Sequence, residues 1–551
     1  MKSFDSINTE YARWLKETQN DASMQDELRA LEGNREALAE AFGYELCFGT
    51  SGIRGIMGPG PCCLNKYVVR RATQGLADYI HSQALDAPSV VISYDSRYHS
   101  KEFAEETAKV LSGNDIKAWI FDSMTPVPIL TYAIGQLTCD YGIMITASHN
   151  TGIYNGYKVY NRDGYQVLSP EPEAILDAIS KLDFFSGIKM SDNRIIRLND
   201  DIPQRFIKEV LELQEGWISS DIKNDIKIIY TPLNGTGNKY VRQLLSESGF
   251  NNVTVVHSQE NPDGSFATCK TPNPEKIAAY NEAFRLMDAE GGDVIIATDP
   301  DSDRVGAALI HSGTKVNLSG NQLGVLILDF LCHVRTLKEG KSVYRSVATT
   351  PMIDLLAKEY GLNLKTTLTG FKYIGEAISK MMHKGESSNF FCGIEESNGY
   401  LFSPFIRDKD GISSALIIAS MVALYKSQGM DLIDRLEALA EKYGECYERP
   451  RNYTFDGIAG KEAMEKIMTY FREEAVDTIG NIKIEKRIDY LTEETDFPKT
   501  DMIEYHLEDG SRAIVRPSGT ESKIKVYAYL TANNSPIIDE INSIMNQFKL
   551  S

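Results

Sequence analysis

From Ser89 onward the chain alternates short, uninterrupted apolar runs with longer stretches of helical periodicity. SVVISYD (Ser89–Asp95) and YGIMIT (Tyr141–Thr146) read as buried strands. SKEFAEETAKVLSG, after the first of them, reads as a helix with Ser100 at its N-cap. The alternation restarts at IKIIYT (Ile226–Thr231), with a helix from Lys239 to Ser248 and strands at VTVVH (Val253–His257) and DVIIAT (Asp293–Thr298). It restarts again near Gly324, with SVYRSVAT, the helical PMIDLLAKEYG and the strand NFFCGIE (Asn389–Glu395). Strands alternating with helices predict mainly parallel sheets, and three similar rounds predict three related α/β domains. Before the first round, an apolar stripe at Tyr11, Trp14, Leu15, Leu28, Leu31 and Leu38 predicts helices. Toward the end, SRAIVRPSG and SKIKVYAYL read as antiparallel strands followed by a helix, a smaller α+β domain. The expected domains are 1–200, 201–318, 319–445 and 446–551.

The 551 residues exceed what one hydrophobic core supports, which agrees with several domains. Net charge is −19, and a field of that sign repels nucleic acid and anionic membrane, so neither is an expected partner. An anionic ligand would need local Arg and Lys clusters. The eight cysteines are scattered without a C-x-x-C pair, which suits reduced thiols. The N-terminal MKSFDSINTEYARWLKET lacks an apolar signal core, and no run of about 18 apolar residues occurs. A cytoplasmic protein is expected.

Each round contains a buried strand that runs into a polar loop: TASHN, DPDSDR and EESNGY. In open α/β sheets ligands bind outside the carboxyl ends of strands, so these loops are the first place to look for chemistry. In DPDSDR, Asp299, Asp301 and Asp303 alternate after an apolar strand. Three crowded carboxylates repel unless a cation lies among them, and oxygen ligands point to Mg²⁺ or Ca²⁺. A calcium loop of the helix–loop–helix kind is excluded by Arg304 at the sixth position and Ile310 at the twelfth. A solvated acidic turn is the plain alternative. In RPSGTESKIKVY, Arg516, Ser518, Gly519 and Thr520 supply a guanidinium, two hydroxyls and a glycine, the parts of a phosphate cradle or of an ordinary hairpin turn. In CGIEESNGY, the carboxylates of Glu395 and Glu396 beside Ser397 suit sugar hydroxyls or a helix start. FGTSGIRG with Arg54 suits an anion or a flexible turn, and FIRDKDG reads as a charged turn. Ser148 in TASHN, beside His149 and ten residues before Lys158, reads equally as a nucleophile or as a helix cap; G-x-S-x-G is absent.

Together, and in this order, FGTSGIRG, ITASHN, DPDSDR, GIEESNGY and RPSGTESKIKVY resemble the loops of the α-D-phosphohexomutase superfamily; TPVPIL, TPLNGTG, NPDGSF, TTPMIDLLA and TGFKYIGE extend the resemblance over most of the chain. It implies four domains around a central cleft, three related mixed or parallel α/β domains and a smaller C-terminal one. It implies that Ser148 carries a transferable phosphoryl group. One Mg²⁺ would be held by Asp299, Asp301, Asp303 and the phosphoserine at Ser148, with Lys158, Arg54 and His149 at the reacting group. Arg304, Thr369, Lys372, Glu395, Ser397, Arg516, Ser518, Gly519 and Thr520 would bind substrate. The reaction implied is interconversion of glucose 1-phosphate and glucose 6-phosphate through a bisphosphate, which also serves as activator, in a monomer or homodimer. Pentose or mannose phosphates are the alternative substrates, and a Mg²⁺-dependent phosphatase is the alternative reaction. Thr151 and Ser522 stand where many members of the superfamily have proline.

Overall fold

The structure is a computed structural model that describes residues 2–49, 52–455, 457–473, 477–518, 523–533 and 535–549. It divides into two compact units, one of Met1–Leu323, Phe371–Gly393 and Ser397–Asp431, the other of Gly324–Gly370, Ile394–Glu396 and Leu432–Ser551.

The first unit begins with helices Phe4–Glu17, Ala22–Ala30 and Arg35–Phe42. Ser3, Asp21 and Asn34 cap them by accepting backbone N–H groups. Their shared stripe buries Trp14, Leu28, Leu38 and Phe42 in the core of the sheet that follows, with Trp14 edge-on to Phe185 at 5.1 Å between ring centroids.

That sheet has the order Gly52–Ile56, Tyr154–Asn161, Tyr141–Ile145, Ser89–Tyr94, Lys117–Phe121, Ile195–Leu198. The last four strands are mutually parallel and Tyr154–Asn161 is antiparallel to both neighbours. The sheet is therefore mixed, and the reason is loop length. A parallel return needs a crossover of a dozen or more residues, and the connection 146–153 is too short for one. The second sheet repeats the pattern. Ile228–Thr231, Val253–Val255 and Val294–Thr298 are parallel, and the short connection 299–304 sends Val305–His311 back antiparallel. The TASHN and DPDSDR loops are thus tight strand-to-strand returns at the carboxyl ends of fully buried parallel strands.

Two helix starts differ from expectation. Helix Ser100–Gly113 is entered through His99, whose φ of 62° is left-handed, and Ser100 is its first residue, donating its hydroxyl to Asp95 at 2.7 Å. Asp95 at the strand end out-competes the local cap. The helix expected from Lys239 begins at Gly237. Helix Gly411–Ser427, apolar on all sides, packs on Val294–Thr298, Val305–His311 and helix Gly237–Glu247.

In the second unit Ser342–Ser346 and Asn363–Thr367 pair in parallel around helix Met352–Glu359. The C-terminal part is an antiparallel sheet in the order Tyr447–Glu448, Lys523–Leu530, Arg512–Pro517, Ile503–Leu507, Ile482–Asp489, Thr478–Ile479, with Arg451–Thr454 also on Lys523–Leu530. Ile524, Val526 and Ala528 alternate inward to meet Ile467 and Phe471 of helix Gly457–Glu473 and Ile541 and Met545 of helix Ile537–Lys549. Among the described residues no single helix is long and apolar enough to cross a membrane.

Candidate active site

Strand Tyr141–Ile145 ends in Thr146, and Ser148 turns the chain with φ +52°. That left-handed conformation costs a non-glycine residue about 1–2 kcal/mol, so its surroundings must impose it. They do: the Ser148 N–H donates to Thr146 Oγ1 at 2.8 Å, and Thr146 Oγ1 donates to Asp95 Oδ2 at 2.6 Å. No helix follows, since the chain returns directly into Tyr154–Asn161. The helix-cap reading of Ser148 is therefore wrong. Ser148 Oγ points at the second sheet's loop and donates to Asp299 Oδ2 at 2.8 Å.

Asp299, Asp301 and Asp303 are buried, and one carboxylate oxygen from each lies within 4.8 Å of the others. The acidic turn is not solvated. Ser302, at φ +55°, makes the reversal, and the Arg304 N–H donates to Asp299 Oδ1 at 3.0 Å. Burial, then Asp301 and Asp303, push the Asp299 carboxyl well above its ordinary value. Asp303 goes the other way: burial raises it, but Lys409, Lys158 and Arg304 outweigh burial and hold it ionised. Asp301 Oδ1 and Asp303 Oδ1 are buried without a hydrogen-bond partner. Orphaned carboxylate oxygens in a buried all-oxygen cluster beside a serine hydroxyl fit a hard divalent cation. The residues present can hold one.

Two lysines neutralise part of this charge. Lys158 Nζ, on the strand that returns from the Ser148 loop, lies 2.7 Å from Asp301 and 3.3 Å from Asp303. Burial lowers its affinity for a proton, but the two carboxylates more than offset that, so the ammonium persists. Lys409 Nζ lies 3.2 Å from Asp303 and 3.6 Å from Asp408. FIRDKDG, read as a charged turn, is buried and braces the site: Asp408, Lys409 and Asp410 are almost fully buried. Asp410 caps helix Gly411–Ser427, and the Gly411 N–H donates to Ser302 O at 3.1 Å. A Cβ on Gly411 would lie 2.7 Å from Ser302 O and 2.8 Å from Arg304 O, so only glycine lets the helix start sit on the metal loop.

Arg54 lies on edge strand Gly52–Ile56, opposite Gly156, exposed, with Nη1 3.3 Å from Asn150 Oδ1. His149 Nδ1 lies 3.2 Å from Ser148 Oγ; burial, then Arg304 and Arg54, push its pKa well below the ordinary value, so the imidazole is neutral at pH 7. Arg304 Nη1 donates to Glu275 Oε1 at 2.6 Å, beside the metal loop. Lys372, in the same unit, is pushed down by burial to about 8. Ser397 is half-buried next to Asn398, whose φ of +58° turns the third loop, again without a following helix.

In the second unit Glu395 is buried and accepts the Gly370 N–H at 2.9 Å, while Glu396 accepts from Ser346 Oγ at 2.7 Å. Thr369 Oγ1 is buried without a hydrogen-bond partner. Arg516 lies on strand Arg512–Pro517, paired with Lys525, and the Ser518 N–H donates to Lys523 O at 2.8 Å. Burial raises the Tyr527 hydroxyl, and Glu396 and Arg516 are among its charged neighbours. Gly519 and Thr520 lie outside the described residues.

The structure thus gathers Ser148, His149, Lys158, Asp299, Asp301 and Asp303 around one point of the first unit. The sequence pattern does not single out Lys409, Asp95 and Arg97, although Asp95 and Arg97 follow the buried strand Ser89–Tyr94 as Ser148 follows Tyr141–Ile145. Lys409 sits in what reads as a charged turn, and the Asp95–Arg97 pair is 51 residues before the loop it serves.

Models of the phosphoglucomutase/phosphomannomutase alpha/beta/alpha domains I, II and III match residues 45–186, 204–311 and 319–443, and that of the C-terminal domain matches 462–529. A phosphoglucomutase of Staphylococcus epidermidis is 34% identical over 523 residues, covering 91% of this chain and 94% of that protein. One of Staphylococcus saprophyticus is 35% identical, covering 91% and 93%. Two crystal structures share the fold: a phosphoglucomutase/phosphomannomutase family protein from Burkholderia thailandensis (TM-score 0.69, 16% identity, 92% and 98% covered) and parafusin, a phosphoglucomutase from Paramecium, in an open form (0.66, 18%, 92% and 96%). With four consecutive domain models matched and relatives aligned over nearly their whole length, the chain belongs to the phosphoglucomutase/phosphomannomutase family of the α-D-phosphohexomutase superfamily.

Proposed function

We propose that this chain is a phosphoglucomutase that interconverts glucose 1-phosphate and glucose 6-phosphate in the cytoplasm, with phosphorylated Ser148 as donor and a glucose bisphosphate as intermediate and activator. The observation that carries the reading is Ser148 Oγ held 2.8 Å from Asp299 at the mouth of three buried aspartates. The near-full-length relatives that bear the phosphoglucomutase name support the choice of sugar.

Phosphoryl transfer is mostly positioning and neutralisation of charge. Asp299, Asp301 and Asp303, with the Ser148 oxygen, would hold Mg²⁺, which when bound withdraws charge from that oxygen. Lys158 lies against the same carboxylates and supplies a fixed positive charge beside the phosphoryl group. Phospho-Ser148 gives its phosphoryl group to the free hydroxyl of the sugar phosphate. The resulting bisphosphate turns around, and its other phosphoryl group returns to Ser148 Oγ. In each half the P–O bond that one of Ser148 Oγ and a sugar oxygen loses is formed by the other, and the proton of the attacking hydroxyl ends on the oxygen that gives up the phosphoryl group, so no water is consumed. On this reading Arg54 and His149 would stand at the reacting group, Glu395 and Ser397 would contact sugar hydroxyls, Arg304, Thr369 and Lys372 would complete the substrate-binding set, and Arg516, Ser518, Gly519 and Thr520 would take the phosphate that is not reacting.

Ser148→Ala tests this in a coupled assay with Mg²⁺ and glucose 1,6-bisphosphate. The expected loss is at least about 10⁴-fold in kcat, as for removal of a covalent nucleophile. Full activity in that variant would refute the phosphoserine. Free phosphate released as fast as isomer forms would make the protein a phosphatase. A panel of glucose, mannose and ribose 1-phosphates fixes the sugar, and a higher kcat/KM on either of the last two overturns the glucose assignment.

A further inference from the structure

We infer that Arg97 is a positioning residue for phosphoryl transfer: a buried guanidinium that sets the Ser148 oxygen by gripping the backbone of its loop. Arg97 is 3% exposed. Nη1 donates to the carbonyls of Thr151 at 2.8 Å and Tyr154 at 2.9 Å, and Nη2 to those of Ser148 at 2.6 Å and Asn150 at 2.5 Å. Nε faces Asp95 Oδ2 at 3.2 Å, and the ring of Phe266 lies 4.9 Å from the guanidinium carbon. One side chain thus collects four carbonyls between Ser148 and Tyr154. Backbone carbonyls turned inward need donors, and a planar fork serves four of them at once as an ammonium cannot.

The grip is tied to the rest of the site. Asp95 Oδ2 also accepts from Thr146 Oγ1, and that hydroxyl accepts the Ser148 N–H and lies 3.3 Å from Asp301 Oδ2. Ser148 is therefore held from both sides of its peptide, N–H through Thr146 and carbonyl through Arg97, which fixes its left-handed φ and aims Oγ at Asp299. Phe266 comes from NPDGSF, and the same loop sets Gly264 against Tyr98, where a Cβ would lie 2.5 Å from the Tyr98 N. The Arg97 Nη groups are committed to these four carbonyls, and Nε, buried and without a hydrogen bond, faces Asp95. The action of the guanidinium runs through Ser148.

This inference rests on Ser148 as the phosphoryl carrier, and the experiment separates the two. Wild type, Arg97→Lys and Asp95→Asn are incubated with glucose 1,6-bisphosphate and Mg²⁺, and phosphoryl uptake is followed by intact mass alongside steady-state kinetics and thermal unfolding. Failure of the wild type to take up a phosphoryl group refutes the carrier. Given uptake by the wild type, Arg97→Lys is expected to melt cooperatively, to phosphorylate about 100-fold more slowly and to lose kcat in proportion, with KM within about threefold, since misplacement of this size acts on the transition state. Asp95→Asn, close to isosteric, is expected to lose about 10-fold in the same two rates and serves as the test if the lysine variant does not fold. Wild-type phosphorylation rates in a folded variant, or a loss confined to KM, would overturn the inference.

Discussion

Lys372 shows how a single side chain can carry a pH signature. Burial pushes its ammonium down to about 8, with Glu173 a smaller opposing influence. The charge is therefore present below about pH 8 and lost as pH rises through it. With Lys372 holding an oxygen of the phosphosugar, KM should rise between pH 7 and 9. Lys372→Arg, whose guanidinium stays charged, should flatten that rise. Identical KM profiles for the two proteins would remove Lys372 from the binding set. Not all residues were equally legible in the sequence. Ser148 and the three aspartates draw notice because their loops follow buried strands, but alone each keeps a plain alternative, a helix cap for Ser148 and a solvated turn for the aspartates. The roles of Arg97 and Lys409 are hidden because each works on a loop far away in sequence, Arg97 on Ser148 and Lys409 on Asp303, even though Arg97 also follows a buried strand. A single charged residue in a loop looks the same whether it is solvated or buried among carbonyls.

At the scale of the element, the start of helix Gly411–Ser427 is the joint to test. Burial raises the Asp410 carboxyl to about 6, while the Ile412 and Ser413 N–H groups that it caps pull it down. A raised carboxyl contributes stability that is full below its unfolded value, near 3.9, and is lost as pH climbs through about 6. Asp410→Asn keeps a capping oxygen but cannot ionise. The unfolding free energy of the wild type relative to Asp410→Asn, measured by chemical denaturation at each pH, should therefore fall from pH 4 to pH 6.5 and stay level above, a change of up to about 3 kcal/mol. A flat difference would mean that the carboxyl titrates normally. Gly411→Ala probes the same joint sterically: its Cβ must displace the carbonyls of Ser302 or Arg304, so apparent affinity for Mg²⁺ should fall by about 10-fold or more in an activity titration. The strands read from apolar runs end within a residue or two of the observed ones in most cases, while strands without a clean apolar run, such as Lys117–Phe121, Ile195–Leu198 and Asn363–Thr367, go unread. Direction was not in those runs. It lay in the connections 146–153 and 299–304, too short for a crossover, and those two hairpins convert mainly parallel sheets into mixed ones. The same shortness removes any helix for Ser148 to cap.

The whole molecule carries a net charge of −19, and the first unit concentrates three aspartates at one buried point, offset by Lys158 and Lys409. A phosphoryl group on Ser148 adds nearly two more negative charges there. Such a point is stable only with added positive charge, so Mg²⁺ should bind the folded state and stabilise it by about 2.7 kcal/mol at 100 times its dissociation constant. The gain has an address. The orphaned oxygens belong to Asp301 and Asp303, in the first unit, and nothing comparable in the described part of the C-terminal sheet draws a cation. Hydrogen exchange with and without chelator should therefore show protection gained on Mg²⁺ binding at Thr146–Tyr154 and Asp299–Val305, with strands Ile503–Leu507, Arg512–Pro517 and Lys523–Leu530 unchanged. Asp301→Asn should abolish the response, because it removes the carboxylate that Lys158 and the cation share. Equal protection in both units would mean that Mg²⁺ acts on the acidic surface as a whole. A response that survives in Asp301→Asn would place the cation elsewhere.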